Sequence, residues 1–139
     1  MFRNILIAFD GSEHARRAAR IAGNMARMQS DAHLWLVCAM DPPPSDLGEP
    51  FINELITERT RLGAELLQQA RELIGAGVPV NDELLFGSPA ESIMSVSANH
   101  NCDLIIMGTR GLGGLRGLLL GSQIHKVISL SEIPVLAVK

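Results

Sequence analysis

The sequence predicts an α/β fold: a three-layer sandwich around a five-stranded, mainly parallel sheet. Two observations predict it, namely short runs that are apolar at nearly every position and longer helical patterns between them. A continuous apolar run indicates a strand buried on both faces, as in a parallel sheet covered by helices. Strands that alternate with helices in this way are joined by crossovers. Ligands bind such sheets at the carboxyl ends of the strands, so the turns after the strands carry the functional information.

Five segments are predicted to be strands. The first, Asn4–Phe9, is apolar after its first residue and stops at the turn sequence Asp10-Gly11-Ser12. The other four are Leu34–Met40, Val80–Phe86, Leu104–Met107 and Val135–Val138. The apolar pattern is weakest in Val80–Phe86.

Four segments between these strands are predicted to be helices. The first, about Glu13–Met28, has one face of small residues, mostly alanine. The second, about Phe51–Ala76, is apolar at a period of about 3.6 residues and ends at glycines. The third and fourth have clear end signals, which are described next.

The third helix has the strongest start signal in the chain. Ser88 is the expected N-cap, Pro89–Asn99 the helix, and Glu91 completes a capping box. The fourth helix is predicted to begin near Ser122 and to stop before Pro134, because the residue before a proline disfavours the helical conformation.

Length and composition fit one ordinary globular domain over residues 1–139. The hydrophobic share is 47% and the charged share 19%. The net charge of −3 argues against a general nucleic-acid binder, because such proteins are usually basic.

The sequence also indicates the cellular compartment and whether the chain binds a metal. No stretch approaches the ~20 apolar residues of a membrane span, and the first apolar run is too short for a signal peptide. Cys38 and Cys102 lie far apart without metal-ligand spacing. We therefore expect a cytoplasmic protein with no zinc site, no disulfide framework, and neither a membrane nor a nucleic acid as partner.

The segment Asp41–Pro50 interrupts the alternation of strands and helices. It contains four prolines in ten residues, so it forms no regular element. Because it follows the second strand, it is either a flap beside the ligand site or an ordinary surface loop.

The stretch after the fourth strand carries the strongest chemical signal. Six glycines fall within residues 108–121, between an apolar strand and a helix. Glycine lets the backbone approach a ligand closely, and exposed N–H groups form an anion nest. Arg110, Arg116 and the helix start at Ser122 favour phosphate as well. The stretch therefore reads as a phosphate cradle, with a flexible, ligand-free loop as the alternative.

Two familiar nucleotide motifs are not supported. A P-loop requires Gly-Lys followed by Ser or Thr, which this chain lacks. The dinucleotide fingerprint fails because Arg116 takes the place of its last glycine, and because that fingerprint follows the first strand of its fold.

The arrangement resembles the universal stress protein family. The nucleotide-binding members of that family carry Gly-x2-Gly-x9-Gly-Ser/Thr after the fourth strand, and Gly108-x2-Gly111-x9-Gly121-Ser122 matches every defined position. The segment that leads into this motif, the segment that opens the chain and the segment that ends it also look like those of the family. The resemblance therefore covers the whole chain. It implies a Rossmann-like fold, similar to the adenine nucleotide alpha hydrolases, with strand order 3-2-1-4-5.

The resemblance also implies a set of site residues. Asp10, at the end of the first strand, would lie by the adenosine, and Ala39 would offer backbone groups to the adenine. Met107 and Gly108 would line the ribose side. The phosphates would be surrounded by Arg110, Gly111, Gly121, Ser122 and Gln123.

Some of these residues have plainer readings that the sequence leaves open. Asp10 is also a candidate cap for the first helix, and Ser122 a candidate N-cap of the fourth. Arg116 is either a phosphate ligand or solvated. His125 is either near the phosphates, or structural or exposed. Cys102 is a candidate for a partly exposed, oxidisable thiol, although no adjacent cation is evident.

The implied function is an ATP-binding, nucleotide-dependent regulator of a stress response, with an unidentified protein partner. ADP and AMP are alternative ligands, and Mg²⁺ or Mn²⁺ would be held through the phosphates. The alternatives are a slow ATPase or phosphoryl-transfer enzyme, and a chaperone-like interaction protein that needs no nucleotide. No residue is assigned a catalytic or metal-ligating role. The resemblance further implies a homodimer paired through the last strand, Val135–Val138.

Overall fold

The computed structural model describes residues 1–111 and 121–139. Its sheet has five strands in the order β3-β2-β1-β4-β5, and every neighbouring pair is parallel. The strands are β1 (Asn4–Ala8), β2 (His33–Met40), β3 (Val80–Phe86), β4 (Leu104–Gly108) and β5 (Val135–Val138). The predicted fold class and the implied strand order are both confirmed.

Four helices connect these strands, and their bounds differ little from the prediction. They are α1 (Glu13–Arg27), α2 (Phe51–Ile74), α3 (Pro89–Asn99) and α4 (Ser122–Leu130). Helix α2 ends two residues early because Gly75 takes a positive φ of 83°. The Nη1 atom of Arg27 then donates to the Ile74 carbonyl at 2.6 Å, which satisfies one of the last carbonyls of α2.

Helices cover both faces of the sheet, which explains why the strands are apolar without alternation. Helices α1 and α2 pack on one face, against side chains such as Ile7 and Leu36. Helices α3 and α4 pack on the other, against Leu6 and Ile105. The small-residue face of α1 lies entirely in the first cluster, and its Ala18 is fully buried. Alanines there let the helix approach the sheet closely.

Helix α4 begins at Ser122, as predicted, but Ser122 is not its N-cap. The N-cap is Gly121, with extended backbone and no side-chain cap, and Ser122 is the first helical residue. The Gly121 carbonyl accepts from the N–H of His125 at 3.2 Å, so the first helical bond starts one residue earlier than a cap at Ser122 would give. The Ser122 side chain is therefore not used as a cap.

The environment of Cys102 rules out the reading in which this side chain is partly exposed. Only 6% of Cys102 is accessible. Burial, followed by the charges of Asp103 and Glu83, raises the pKa of its thiol to about 12. A thiol with so high a pKa carries almost no thiolate near neutral pH and is inert to oxidants.

The segment between β2 and α2 contains neither helix nor strand, as its prolines predict. No helix within residues 1–111 and 121–139 combines the length and the apolar character needed to cross a membrane.

Candidate nucleotide site

A cavity of about 370 Å³ opens at the carboxyl edge of the sheet. It lies where β1 and β4 end side by side, which is the point at which the strand order reverses. The structure brings all nine predicted site residues to the wall of this one cavity: Asp10, Ala39, Met107, Gly108, Arg110, Gly111, Gly121, Ser122 and Gln123.

The cavity wall also contains residues that the sequence reasoning missed. The polar ones are Ser12, Asp41 and Thr109. Thr109 falls inside the spacing between the first two motif glycines, so the motif itself was a signal for it. Ile93 and Pro89, on α3, form part of the apolar wall. Their pattern in the sequence is that of ordinary helix residues, and only the packing of α3 over the strand ends brings them to the cavity.

Asp10 supports the cap of α1 without being the cap. Ser12 is the N-cap, and its Oγ accepts from the Ala15 N–H at 3.4 Å. The Oδ1 atom of Asp10 in turn accepts from the N–H of Ser12 at 2.9 Å and from its hydroxyl at 2.5 Å. One carboxylate oxygen thus fixes the turn between β1 and α1. The other, Oδ2, faces Gly111.

Two motif glycines are needed because other atoms come very close to them. A Cβ at Gly111 would lie 2.7 Å from Oδ2 of Asp10. A Cβ at Gly108 would lie 2.7 Å from the Cβ of His14 and 2.9 Å from the backbone nitrogen of Ala15. Gly111 therefore leaves room for the Asp10 carboxylate, and Gly108 lets the first turn of α1 pack directly on the end of β4.

The two ends of the glycine-rich stretch meet at Thr109. The Gly121 N–H donates to the Thr109 carbonyl at 2.6 Å. A Cβ on Gly121 would lie 3.3 Å from that carbonyl oxygen and 3.6 Å from Cα of Arg110. The first and last parts of the motif therefore border one space, as a cradle requires. The expectations for Arg116 and the inner glycines concern residues 112–120, which lie outside the described part of the chain.

The backbone of Ala39 faces the cavity for a reason that follows from the register. Along a strand, the N–H and C=O of one residue point to the same side, and successive residues point to opposite sides. The Val37 carbonyl accepts from Phe9 N–H at 2.9 Å, and the Met40 carbonyl accepts from Gly87 N–H at 2.9 Å. Ala39 therefore points to the β1 side, and β1 has already ended at Ala8.

Gln123 connects two helices across the cavity. Its Oε1 accepts from the N–H of Ala90 at 3.1 Å, so it satisfies a donor in the first turn of α3. Arg110 is exposed, and its carbonyl accepts from the Ser12 hydroxyl at 3.2 Å. His125 is exposed on α4 and does not line the cavity, which supports the second of its two readings.

Cys38 lies near the cavity but is closed to it. The residue is 1% exposed. Burial, and secondarily the charge of Asp10, raises the pKa of the Cys38 thiol to about 11. Across the described ranges, no three His, Cys, Asp or Glu side chains converge as ligands for a metal ion.

The fold and the cavity define a doubly wound α/β domain with a cavity at its switch point, where such folds bind ligands. The sequence model of the universal stress protein family matches residues 1–139, and the chain belongs to that family. The chain is similar to a universal stress protein of Thermus aquaticus, encoded in the QAH/OAS sulfhydrylase 3' region; the two are 44% identical over 140 residues, all of both chains.

Solved structures agree with this assignment. The structure of the protein MJ0577, from Methanocaldococcus jannaschii, is 31% identical and has a TM-score of 0.87 over all of this chain and 96% of that one. A universal stress protein solved in complex with cAMP is 26% identical, with a TM-score of 0.67 over 99% of this chain and 97% of that one. That relative binds an adenine nucleotide on a fold shared with this chain.

Proposed function

We propose that this protein binds an adenine nucleotide, ATP foremost, in the cavity at the carboxyl edge of the sheet, and acts as a nucleotide-dependent regulator of a stress response. One observation carries the proposal: the backbone of Ala39, the Asp10 carboxylate and both ends of the glycine-rich stretch line the same cavity. Membership of the family and the relative in complex with cAMP support it.

The base would be read by backbone atoms. The N–H and C=O of Ala39 form a donor and an acceptor on the side where β1 has ended. An adenine edge offers the complementary pair, a ring nitrogen that accepts and an exocyclic amine that donates. Apolar side chains of Val37, Ile93 and Met107 line the same cavity and suit a flat aromatic ring.

The ribose and the phosphates of the nucleotide would contact different groups of the protein. A carboxylate such as Asp10 accepts hydrogen bonds from ribose hydroxyls. Gly111 and the first turn of α4 present backbone N–H groups that favour anions, and Arg110 and the Ser122 hydroxyl line the same wall. Mg²⁺ or Mn²⁺ would be held through the phosphates of the nucleotide, with no dedicated protein cage.

The proposed regulatory role rests on the number of chain segments that a bound nucleotide would contact. Residues of the β1–α1 turn, β2, β4 and α4 border the cavity, so a bound nucleotide would contact all four segments at once. A ligand of this kind shifts a conformational equilibrium by its differential affinity for the two states. The occupied and empty forms would then differ in what they offer to a partner protein.

We also propose that two copies pair through β5. It is the last strand of the described sheet, and Leu136 and Ala137 on it are exposed. Ile128 and Leu130 of α4 are 46% and 61% exposed as well. An apolar edge strand pairs readily with another chain. The two cysteines are free and buried, which suits a reducing compartment such as the cytoplasm.

The first experiment identifies the nucleotide. Freshly purified protein is denatured, and any released nucleotide is identified by chromatography and mass spectrometry. ATP at near-stoichiometric amounts supports the proposal, and unchanged ATP after hours of incubation supports a regulator over a hydrolase. A protein that is empty, and that also fails to bind added ATP with Mg²⁺ in calorimetry, overturns it.

A matched pair of variants tests the site itself. Gly121→Leu places a side chain between the two ends of the glycine-rich stretch, whereas Gly48→Leu adds the same side chain where no atom lies within 4 Å. We expect ATP affinity to fall by roughly tenfold or more in the first variant and to stay unchanged in the second. Equal affinity in both variants would reject the cradle.

A further inference from the structure

The first three turns of α2 pack loosely on the rest of the protein. The first buried residue of α2 is Gly63, although Phe51–Leu62 is rich in large apolar side chains. Phe51 is 63% exposed, Ile56 38% and Leu62 39%. This apolar half-helix therefore has a face that suits a partner.

The same half-helix forms a shallow groove with the segment before it. Leu47, Phe51 and Leu55 give the groove an apolar floor, and Glu54 and Glu58 stand at its rim. Its volume is about 380 Å³, which is enough for one or two large side chains. The residues 47–62 are called the α2 surface below.

The α2 surface and the segment before it carry an excess of negative charge. Residues 41–62 contain five carboxylates and two arginines, Arg59 and Arg61. Both arginines are engaged within the chain: Arg61 pairs with Glu58 at 2.6 Å, and Nη1 of Arg59 donates to the Asp41 carbonyl at 2.6 Å. Such a surface attracts cationic groups and repels nucleic acids and anionic membranes.

We propose that the α2 surface docks a cationic amphipathic segment of a partner protein, with an apolar side chain in the groove and Lys or Arg residues opposite Glu54. Helices with one apolar and one charged face bind grooves in this manner. Asp41 lines the nucleotide cavity and is tied to α2 through Arg59, so the surface begins where the cavity ends. In this respect the proposal deepens the proposed function and rests on it, because it names the chemistry of the partner that reads the nucleotide state.

The test uses two synthetic amphipathic helices as probes, one of lysine and leucine and one with glutamate in place of lysine. We expect the full-length protein to bind the lysine peptide, more weakly as salt is raised, and to leave the glutamate peptide unbound. Phe51→Ser and Glu54→Lys should each weaken binding by roughly tenfold. The controls are Met28→Ser, an apolar residue that is 85% exposed, and Glu72→Lys on the far end of α2.

Three results would overturn the docking proposal: wild-type affinity for the lysine peptide in Phe51→Ser and Glu54→Lys, equal binding of both peptides, or a change of oligomeric state in Phe51→Ser. The last would assign the surface to a second copy of this chain. Titrations without nucleotide test the surface, and a separate titration with ATP and Mg²⁺ tests the site. If the protein binds the lysine peptide but not ATP, the docking proposal stands and the proposed function is rejected. If it binds ATP but not the peptide, only the docking proposal is rejected.

Discussion

The Nδ1 atom of His14 lies 2.8 Å from Oγ1 of Thr109, and this contact holds the turn that closes the glycine-rich stretch. Thr109 is 3% exposed. Its N–H donates to the Val138 carbonyl at 2.8 Å, and its carbonyl accepts from the Gly121 N–H at 2.6 Å. One residue thus joins α1, β5 and the start of α4 beside the cavity.

Removing the Thr109 hydroxyl should loosen this junction. Thr109→Val keeps the shape of the side chain but leaves the half-buried His14 nitrogen without its partner, which costs about 1–3 kcal/mol in the free energy of unfolding. ATP affinity should fall with it. Urea unfolding followed through Trp35, the single tryptophan, measures the first effect, and calorimetry the second.

The conservative variant Thr109→Ser provides the control. It retains the hydroxyl and should stay near the wild type in both measurements. If Thr109→Val were as stable as Thr109→Ser and bound ATP equally well, the hydrogen bond to His14 would have no role at the site.

Gly108→Ala should destabilise the protein although it adds a single methyl group. Its Cβ would lie 2.9 Å from the backbone nitrogen of Ala15, so α1 must move away from β4. Overpacking of this kind costs roughly 1–3 kcal/mol in the free energy of unfolding. Gly48→Ala, in open space, is the matched control for the urea experiment and should change little. A loss of the same size in both variants would point to glycine flexibility in general and not to the α1 contact.

Stability should fall at alkaline pH because of the two buried thiols. Burial raises the pKa of Cys38 to about 11 and that of Cys102 to about 12, from 9.0 in the unfolded chain. The thiols therefore contribute stability below about pH 9, and it is lost as the pH rises through their folded values, since the unfolded chain binds fewer protons there. Each thiol contributes a slope of about 1.4 kcal/mol per pH unit.

The chain is well suited to this measurement because it contains no tyrosine, and Lys126 and Lys139 are its only lysines. The double variant Cys38→Ala/Cys102→Ala should show a flatter dependence of the free energy of unfolding on pH between 9 and 11, whatever its absolute stability. An unchanged slope would assign the alkaline loss to other groups.

Ala137→Pro should separate the proposed dimer into monomers. The Val138 carbonyl accepts from Thr109, so Val138 faces β4 and the N–H of Ala137 faces the open side of β5. Proline removes that donor and is tolerated on edge strands. Ala137→Val retains the N–H and should remain dimeric in sedimentation at micromolar concentration. A monomeric wild type, or a dimeric Ala137→Pro, would reject pairing through β5.

Much of the fold was predictable because its signals are local. The apolar runs, the prolines of 41–50 and the cap at Ser88, whose Oγ accepts from Glu91 N–H at 3.3 Å, need no knowledge of distant residues. The resemblance to the universal stress protein family supplied the residues of the cavity wall, and they lie together because the carboxyl ends of parallel strands meet at one edge.

The remaining features depend on contacts between residues far apart in sequence. The need for glycine at 108 comes from His14 on α1, and Gln123 finds its partner in Ala90 on α3. Helix α4 begins at Ser122, as predicted, but the reading of Ser122 as its N-cap was wrong. Ser is a better cap than Gly by local preference, whereas here Gly121, whose N–H donates to the Thr109 carbonyl, is the N-cap. The local preference of a residue for the capping position is overridden where a tertiary hydrogen bond of this kind competes with it.

The donor and acceptor that Ala39 turns toward the cavity belong to the main chain, and this has an evolutionary consequence. Nineteen of the twenty amino acids would present the same N–H and C=O at this position. A change of side chain at position 39 therefore leaves this donor and acceptor in place. Only proline would remove the N–H donor. Selection for this donor and acceptor would therefore be visible at position 39 only as the absence of proline.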